Sequence, residues 1–329
     1  MKQRVIWLVL LFGVWRVPAF ASEQSAIKRL QVLAAEYPAA PMVVVNPALS
    51  RRRETPAPKS VTVPLRFNYG YFGGPKSMNV PCAFNGGARR SCFLDTGSMI
   101  SAVPEDAESL GYPKVGRSRM QAASGTPLLF DLVATEKVMI GDAAIPLASI
   151  GRSAAITHQE GMIGSDALAD QVVLFDFEKK VLIFSPGGAI GQKLGKAGMG
   201  RSDLGDALLI IPLSISLNTL STMWDTGVMN PLTLRQEWID QHSQLFRYKW
   251  DSTAGMDAAG HMIQSKSYEL LAPLDIGQLY VAPGLLVYGV DFPPEYDFDA
   301  ILGFDLLKQC NWFFDLPNRS WAAFLPAPD

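Results

Sequence analysis

Apolar and polar residues along this chain fall into short runs rather than long helical periods. Segments 61–67, 171–175, 181–184, 208–217 and 279–287 are rich in β-branched or aromatic residues and are bounded by turn residues, which is the pattern of strands closed by turns. Helical signals are few: single turns at 167–168 and 306–308, a short helix over 234–242, and a small amphipathic helix over 25–37 with Ile27, Leu30, Leu33 and Ala34 on one face. Many short strands separated by Gly and Pro turns predict an all-β fold.

The pattern also repeats. Phe93-Leu94-Asp95-Thr96-Gly97-Ser98 is echoed by Met223-Trp224-Asp225-Thr226-Gly227-Val228, 130 positions later. Val138-Met139-Ile140-Gly141 is answered by Leu274-Asp275-Ile276-Gly277, and Met162-Ile163-Gly164-Ser165-Asp166-Ala167-Leu168 by Ile301-Leu302-Gly303-Phe304-Asp305-Leu306-Leu307. Phe175-Asp176-Phe177 returns as Phe314-Asp315-Leu316. Four landmarks keep one order while their offset drifts only from 130 to 139 residues. The chain therefore divides into two copies of one fold, 61–185 and 207–329, joined by a Gly-rich stretch, 186–206, that reads as a flexible linker.

Composition narrows the possibilities. At 329 residues and 48% hydrophobic the chain can fill two ordinary cores, and its 18% charged content is too low for a disordered tail. A net charge of −2, without a basic run interleaved with aromatics, argues against a nucleic-acid partner. Three histidines and three cysteines lack metal-ligand spacing, so neither a metal nor a cofactor is expected. Residues 1–21 combine a short basic start, an apolar run over 5–15 and Ala19-Phe20-Ala21, the pattern of a signal peptide. That run is shorter than the ~20 residues a membrane-spanning helix needs. The expectation is export to the periplasm or medium, with no membrane association after cleavage. Residues 22–60, with prolines and Arg51-Arg52-Arg53, read as an N-terminal arm or a removable propeptide.

Export permits a disulfide. Cys82 and Cys92 flank Asn85-Gly86-Gly87, a hairpin turn signal. A two-residue turn would set Cys82 against Arg89, whereas a longer loop over 85–89 brings the cysteines into cross-strand register and predicts a disulfide; two buried thiols are the alternative. Cys310 is left as a small core residue.

The paired Asp-Thr-Gly loops carry the chemistry. Two carboxyl groups held close together cannot both ionise cheaply, so they share a proton. The ionised one can activate a water and the protonated one can donate to a peptide carbonyl. Apolar residues before each Asp anchor the loop, Thr can bond across to the opposite loop, and Gly permits close approach. Asp166 and Asp305, placed after Gly and ahead of Leu, read as helix N-caps, and Asp176 and Asp315 as groups satisfying backbone amides. No Gly-x-Ser-x-Gly elbow or Ser-His-Asp arrangement competes.

On these motifs the stretch from Val61 to Phe324 resembles the pepsin and retropepsin superfamily of aspartic peptidases. The resemblance implies two β-barrel lobes related by a pseudo-twofold axis, with the active site between them, a dyad of Asp95 and Asp225, and catalytic loops supported by Thr96, Gly97, Ser98, Thr226 and Gly227. It also implies strands ending at Gly164 and Gly303 that cross behind those loops. Substrate-binding flaps would be 120–132, with a tip at Ser124, Gly125 and Thr126, and 251–263, around Gly255 and Gly260. Two complete copies of about 120 residues are closer to two fused retroviral-type subunits than to pepsin. Pepsin-like enzymes carry a flap tyrosine, and the first flap segment has none. Ser98 would offer its carboxylate a hydroxyl contact that Val228 cannot. The function implied is an exported aspartic endopeptidase, monomeric because one chain holds both loops, acting on an extended polypeptide. A noncatalytic peptide-binding protein on the same scaffold is the alternative.

Overall fold

The computed structural model describes residues 60–69, 75–104, 114–135, 137–153, 161–185, 197–204, 207–277 and 279–324. The expected signal peptide, the arm over 22–59, its helix over 25–37 and linker residues 186–196 lie outside the described residues. Strands dominate, as the short apolar runs require, and the described helices are brief: Gln236–Gln241 and Phe304–Leu307, with 3-10 turns at Ser165–Ala167 and Ser243–Leu245. The middle helix starts at Gln236 rather than at 234 because Leu232–Arg235 is still a strand. No helix among the described residues is long and apolar enough to cross a membrane.

Three sheets hold the chain. The main path of a ten-stranded sheet runs Lys114–Gln121, Pro127–Ala134, Ser149–Ser153, Ala102–Pro104, Met162–Ile163, Arg90–Leu94, Pro75–Phe84, Val138–Ile140, Ala143–Ile145, and Arg66–Tyr69 pairs with Pro75–Phe84 beside it. A nine-stranded sheet runs Phe246–Met256, Met262–Leu270, Leu286–Val290, Leu232–Arg235, Ala300–Leu302, Asn218–Trp224, Ile210–Ile215, Leu274–Ile276, Leu279–Val281. Numbered along the chain, the strands of these two paths occur in the same order. The third sheet, of six strands, draws on both ends of the chain: Val61–Pro64, Val181–Ser185, Val172–Asp176, Asn311–Asp315, Ser320–Phe324 and Ala197–Gly198.

Val172–Asp176 and Asn311–Asp315 pair antiparallel in the middle of that sheet, and every residue of both is buried. Their apolar runs, 172–175 and 312–314, are what burial on both faces demands. Above them the Trp224 ring lies 4.7 Å from Phe175, 5.0 Å from Phe314 and 5.8 Å from Trp312. These rings join a core cluster that includes residues of all three sheets. The tail of the segment read as a flexible linker is part of this structure. Ala197–Gly198 pairs with Ser320–Phe324, and Met199 and Gly200 donate backbone bonds to Arg319 and Ile210.

The Asn-Gly turn forms, with Gly87 N–H donating to the Phe84 carbonyl at 2.9 Å and positive φ at Asn85 (47°) and Gly86 (78°). It does not set the register. Cys82 faces Arg90 and Cys92 faces Val80; residues 87–89 stay out of the strand pairing, while Ala83 and Phe84 pair with Met139 and Val138 on the other edge. The cysteines are therefore diagonal neighbours and not directly opposed as the longer loop suggested. Their Cα atoms are 5.8 Å apart with the sulfurs in bonding range, which is compatible with a disulfide. Cys310 is buried, and burial pushes its thiol up to about 12.

Thiol counting checks this arrangement. The folded protein should not react with iodoacetamide at neutral pH, and unfolding without reductant should expose one reactive thiol per chain. Three reactive thiols without reductant would exclude the disulfide. Replacing Cys82 and Cys92 with Ser should lower unfolding free energy by about 2–4 kcal/mol.

Candidate active site

Each Asp-Thr-Gly begins where a strand ends. Arg90–Leu94 runs directly into Asp95, and Asn218–Trp224 into Asp225. A short strand then lies alongside each. Met162–Ile163 is parallel to Arg90–Leu94 and antiparallel to Ala102–Pro104, while Ala300–Leu302 stands in the same relation to Asn218–Trp224 and Leu232–Arg235. Asp95 N–H donates to the Ile163 carbonyl at 2.9 Å and Asp225 N–H to the Leu302 carbonyl at 3.0 Å. Both aspartates are thus hung on backbone bonds inside a sheet, and neither loop is free to shift.

The loops hold each other through their threonines. Thr96 N–H donates to Thr226 Oγ1 at 3.1 Å, and Thr226 N–H donates to Thr96 Oγ1 at 3.0 Å. Each hydroxyl then donates to the carbonyl before the opposite aspartate, Thr96 to Trp224 at 3.0 Å and Thr226 to Leu94 at 2.7 Å. Both threonines are fully buried, so every one of these bonds forms away from water, where an unmade one is costly.

Above this exchange the carboxyl groups of Asp95 and Asp225 stand side by side. Gly97 N–H lies 3.1 Å from Asp95 Oδ1 and 3.1 Å from Asp225 Oδ1. Ser98 N–H adds a bond to Asp95 at 3.2 Å, and Gly227 N–H one to Asp225 at 2.7 Å. The approach needs glycine: a Cβ on Gly97 would collide with the Asp225 carboxylate, and one on Gly227 with that of Asp95. Burial, and then the charge of Asp225, hold the Asp95 carboxyl well above its ordinary value, only partly offset by the N–H groups of Ser98 and Gly97. Burial also raises Asp225, and the bonds it accepts from Gly227, Gly97, the Asp95 carboxyl and Val228 offset part of that rise. The pair titrates as a unit, both carboxyls being raised by burial and Asp95 further by the charge of Asp225.

The two expected flap segments are hairpins. Lys114–Gln121 and Pro127–Ala134 form the first, closed by a tip in which Ala122 N–H donates to the Thr126 carbonyl at 2.8 Å and Gly125 has φ 79°. Phe246–Met256 and Met262–Leu270 form the second, with its tip at Asp257–Gly260. Gly255 is not at that tip. It sits in a bulge, φ 139°, where the pairing register shifts. The tips meet: Ser124 N–H donates to Asp257 Oδ2 at 3.1 Å, and the Ser124 and Thr126 hydroxyls lie 3.3 and 3.0 Å from His261 Nδ1. Burial pushes the Asp257 carboxyl up, but the bonds from Ser124, His261 and Ala259 outweigh it and leave it below its ordinary value. Tyr296 also reaches the first tip, its hydroxyl donating to the Ala122 carbonyl at 3.3 Å. Nothing in the irregular sequence around Tyr296 marked it; only its position shows the contact.

Several smaller expectations change. The Ser98 hydroxyl donates to the Ile100 carbonyl at 3.0 Å, and Ser98 serves Asp95 through its N–H instead. Neither Asp166 nor Asp305 is an N-cap; those positions are Gly164 and Gly303, without side-chain caps. Asp166 instead accepts Ser101 N–H at 2.9 Å and the Ser101 hydroxyl at 2.7 Å, bracing the chain after the first loop, and burial raises it to about 6. Asp305 pairs with Lys308. Asp176 and Asp315 accept the backbone N–H groups of Lys179 and Asn318, as expected. No group of three or more His, Cys, Asp and Glu side chains suited to a metal ion occurs among the described residues.

No protein-family model matches the chain, and no curated protein is similar enough to it to stand as a relative.

The raised Asp95 value has a sign that unfolding can read. A carboxyl whose folded pKa exceeds its unfolded one contributes stability fully below the unfolded value of about 4, and that contribution is lost as pH rises through the folded value. Asp95→Asn keeps the neutral shape. It should leave stability near wild type at about pH 3.5 and raise it at about pH 7.5, measured by denaturant unfolding. An equal difference at both pH values would mean that Asp95 is not held protonated.

Proposed function

We propose that the chain is an exported aspartic-type endopeptidase of the pepsin and retropepsin kind. The observation that carries the proposal is the pair of Asp-Thr-Gly carboxyls sharing the Gly97 N–H above a reciprocal threonine exchange. The matching strand order of the two large sheets supports a reading as two pseudo-twofold-related lobes, with the six-stranded sheet beneath them and the dyad in the cleft between. Hairpin tips that touch support a cleft closed by two flaps, as expected for a chain that takes an extended polypeptide. One chain supplies both loops, so a monomer holds the full dyad. The Cys82–Cys92 pair is in keeping with an oxidising compartment.

On this reading Asp225 serves as the base and Asp95 as the acid. The Asp225 carboxylate takes a proton from a water lying between the carboxyls, and that water attacks the peptide carbonyl carbon while the Asp95 carboxyl donates its proton to the carbonyl oxygen. The result is a neutral gem-diol. Asp225 then passes its proton to the amide nitrogen, Asp95 recovers one from a diol hydroxyl, and the C–N bond breaks to give a carboxylic acid and an amine. The starting protonation state returns with each turnover.

Asp95→Asn and Asp225→Asn should each lower peptide cleavage by about a thousandfold or more while the fold is retained, because one group is acid and the other base. A peptide carrying a hydroxyl at the scissile position should inhibit, since it mimics the tetrahedral intermediate. Chelators and serine-directed reagents should leave cleavage unchanged. Near wild-type turnover in either variant would sink the dyad, and a chain that binds the hydroxyl peptide but never cuts would point to the noncatalytic binder.

A further inference from the structure

The first hairpin reaches beyond the strands that brace its base. Lys114–Gln121 lies at the end of its sheet's path and is paired with Pro127–Ala134. The latter strand pairs on its other side with Ser149–Ser153, but only as far toward the tip as Asp131 opposite Arg152. Two strands alone are marginal in water, so the place of the tip is set by what the tip touches. Ser124 and Thr126 meet Asp257 and His261 at exposed positions. Another contact is sheltered. Ala122 is buried, and its carbonyl accepts the Gly125 N–H at 2.8 Å and the Tyr296 hydroxyl at 3.3 Å. Away from bulk water such a bond is electrostatically stronger. Pro293 adds a backstop, 3.8 Å from where a side chain on Gly125 would begin.

Tyr296 is mounted on the strands behind the second Asp-Thr-Gly loop. Its N–H donates to the Pro293 carbonyl at 3.0 Å, closing a turn. Arg235 holds that turn by donating to the carbonyls of Tyr296 and Phe298, with its guanidinium 5.3 Å from the centre of the Phe292 ring. The Tyr296 ring is packed 5.0 Å from Phe298 and 6.1 Å from Phe292. Arg235 ends the strand Leu232–Arg235, which pairs with Ala300–Leu302, and the Leu302 carbonyl accepts the Asp225 N–H. A short chain of contacts therefore runs from the backbone of Asp225 to the tip of the first hairpin. Gly97, Met120, Gln121 and Tyr296 border one cavity, so the hairpin, the first loop and this tyrosine face the same space. Burial, and then the charges of Asp225, Asp257 and Glu295, push the Tyr296 phenol up to about 12, which keeps it a donor throughout the working range of an enzyme.

We propose that Tyr296 is a positioning residue, whose hydroxyl clasps the tip of the first hairpin to the strands behind Asp225 and so holds the hairpin closed on a bound peptide. Its partner is a backbone carbonyl of the hairpin and no part of the ligand, so the effect is the same for peptides of different sequence. The role rests on the reading of the cleft as a peptide site, whether or not the peptide is cut.

The test removes one atom. In the full chain Tyr296→Phe keeps the ring and its packing on Phe292 and Phe298 but loses the hydroxyl, and 4-aminophenylalanine at position 296 restores a donor at the same place. Amide hydrogen exchange in the tip, residues 122–126, should quicken about tenfold in Tyr296→Phe, with exchange in the central strand Val172–Asp176 unchanged. A peptide carrying a hydroxyl at the scissile position, selected from a mixed library on the wild-type chain, should leave the variant about tenfold faster. With a cleaved peptide the loss should appear in KM at near wild-type kcat, because the clasp holds substrate and transition state alike. The amino variant should recover most of each change. Unchanged tip exchange and release in the folded variant would overturn the clasp, as would faster exchange spread through 172–176 without recovery by the amino group, which marks a general loss of stability. Wild-type cleavage is read separately. Binding without cutting, with the tip and release effects present, leaves the clasp standing and removes the peptidase; cutting that Tyr296→Phe does not alter removes the clasp alone.

Discussion

Two carboxyl groups brought together out of water dominate this structure. Ionising both would place like charges within hydrogen-bond range, so the arrangement persists only with one proton between them and with donors aimed at the remaining charge. Gly97, Ser98 and Gly227 supply those donors from backbone, and glycine at two positions allows the carboxyls to come close enough to share one. The threonine exchange beneath fixes the spacing. Since Thr96 bonds to the 224–226 loop and Thr226 to the 94–96 loop, neither loop is complete without the other. The central pairing of Val172–Asp176 with Asn311–Asp315, and the aromatic floor of Trp224, Phe175 and Phe314, keep the two loops in register.

Around this near-symmetric centre the surroundings are unequal. Asp95 accepts from Gly97 and Ser98 and Asp225 from Gly97 and Gly227, so the two carboxyls share one donor and differ in the other. The chain after the first loop is braced by Asp166 and Ser101, while the corresponding Asp305 faces outward to Lys308. The first hairpin is held at its tip by Asp257, His261 and Tyr296, all from the second half of the chain. The two halves therefore share one strand order yet give Asp95 and Asp225 different neighbours, and the tip of the first hairpin is bonded to groups of the second half.

The sequence by itself determined the strand-rich fold, the two-copy order, both Asp-Thr-Gly loops, the hairpins at 120–132 and 251–263 and the nearness of Cys82 to Cys92. Each follows from local information: alternation and turn residues that act over a few positions, and a repeat that makes a common tripeptide significant. What tertiary structure decided is which partner each remaining group meets. The point at which pairing resumes after residues 87–89 set the cysteine register, and a backbone carbonyl at Ile100 claimed the Ser98 hydroxyl. Asp166 found Ser101 instead of a helix end, and Tyr296 met the Ala122 carbonyl. A polar side chain takes whichever partner the completed fold brings within about 3 Å. Those partners lie anywhere from 2 to 174 positions away along the chain, and no turn or alternation pattern encodes which of them is met.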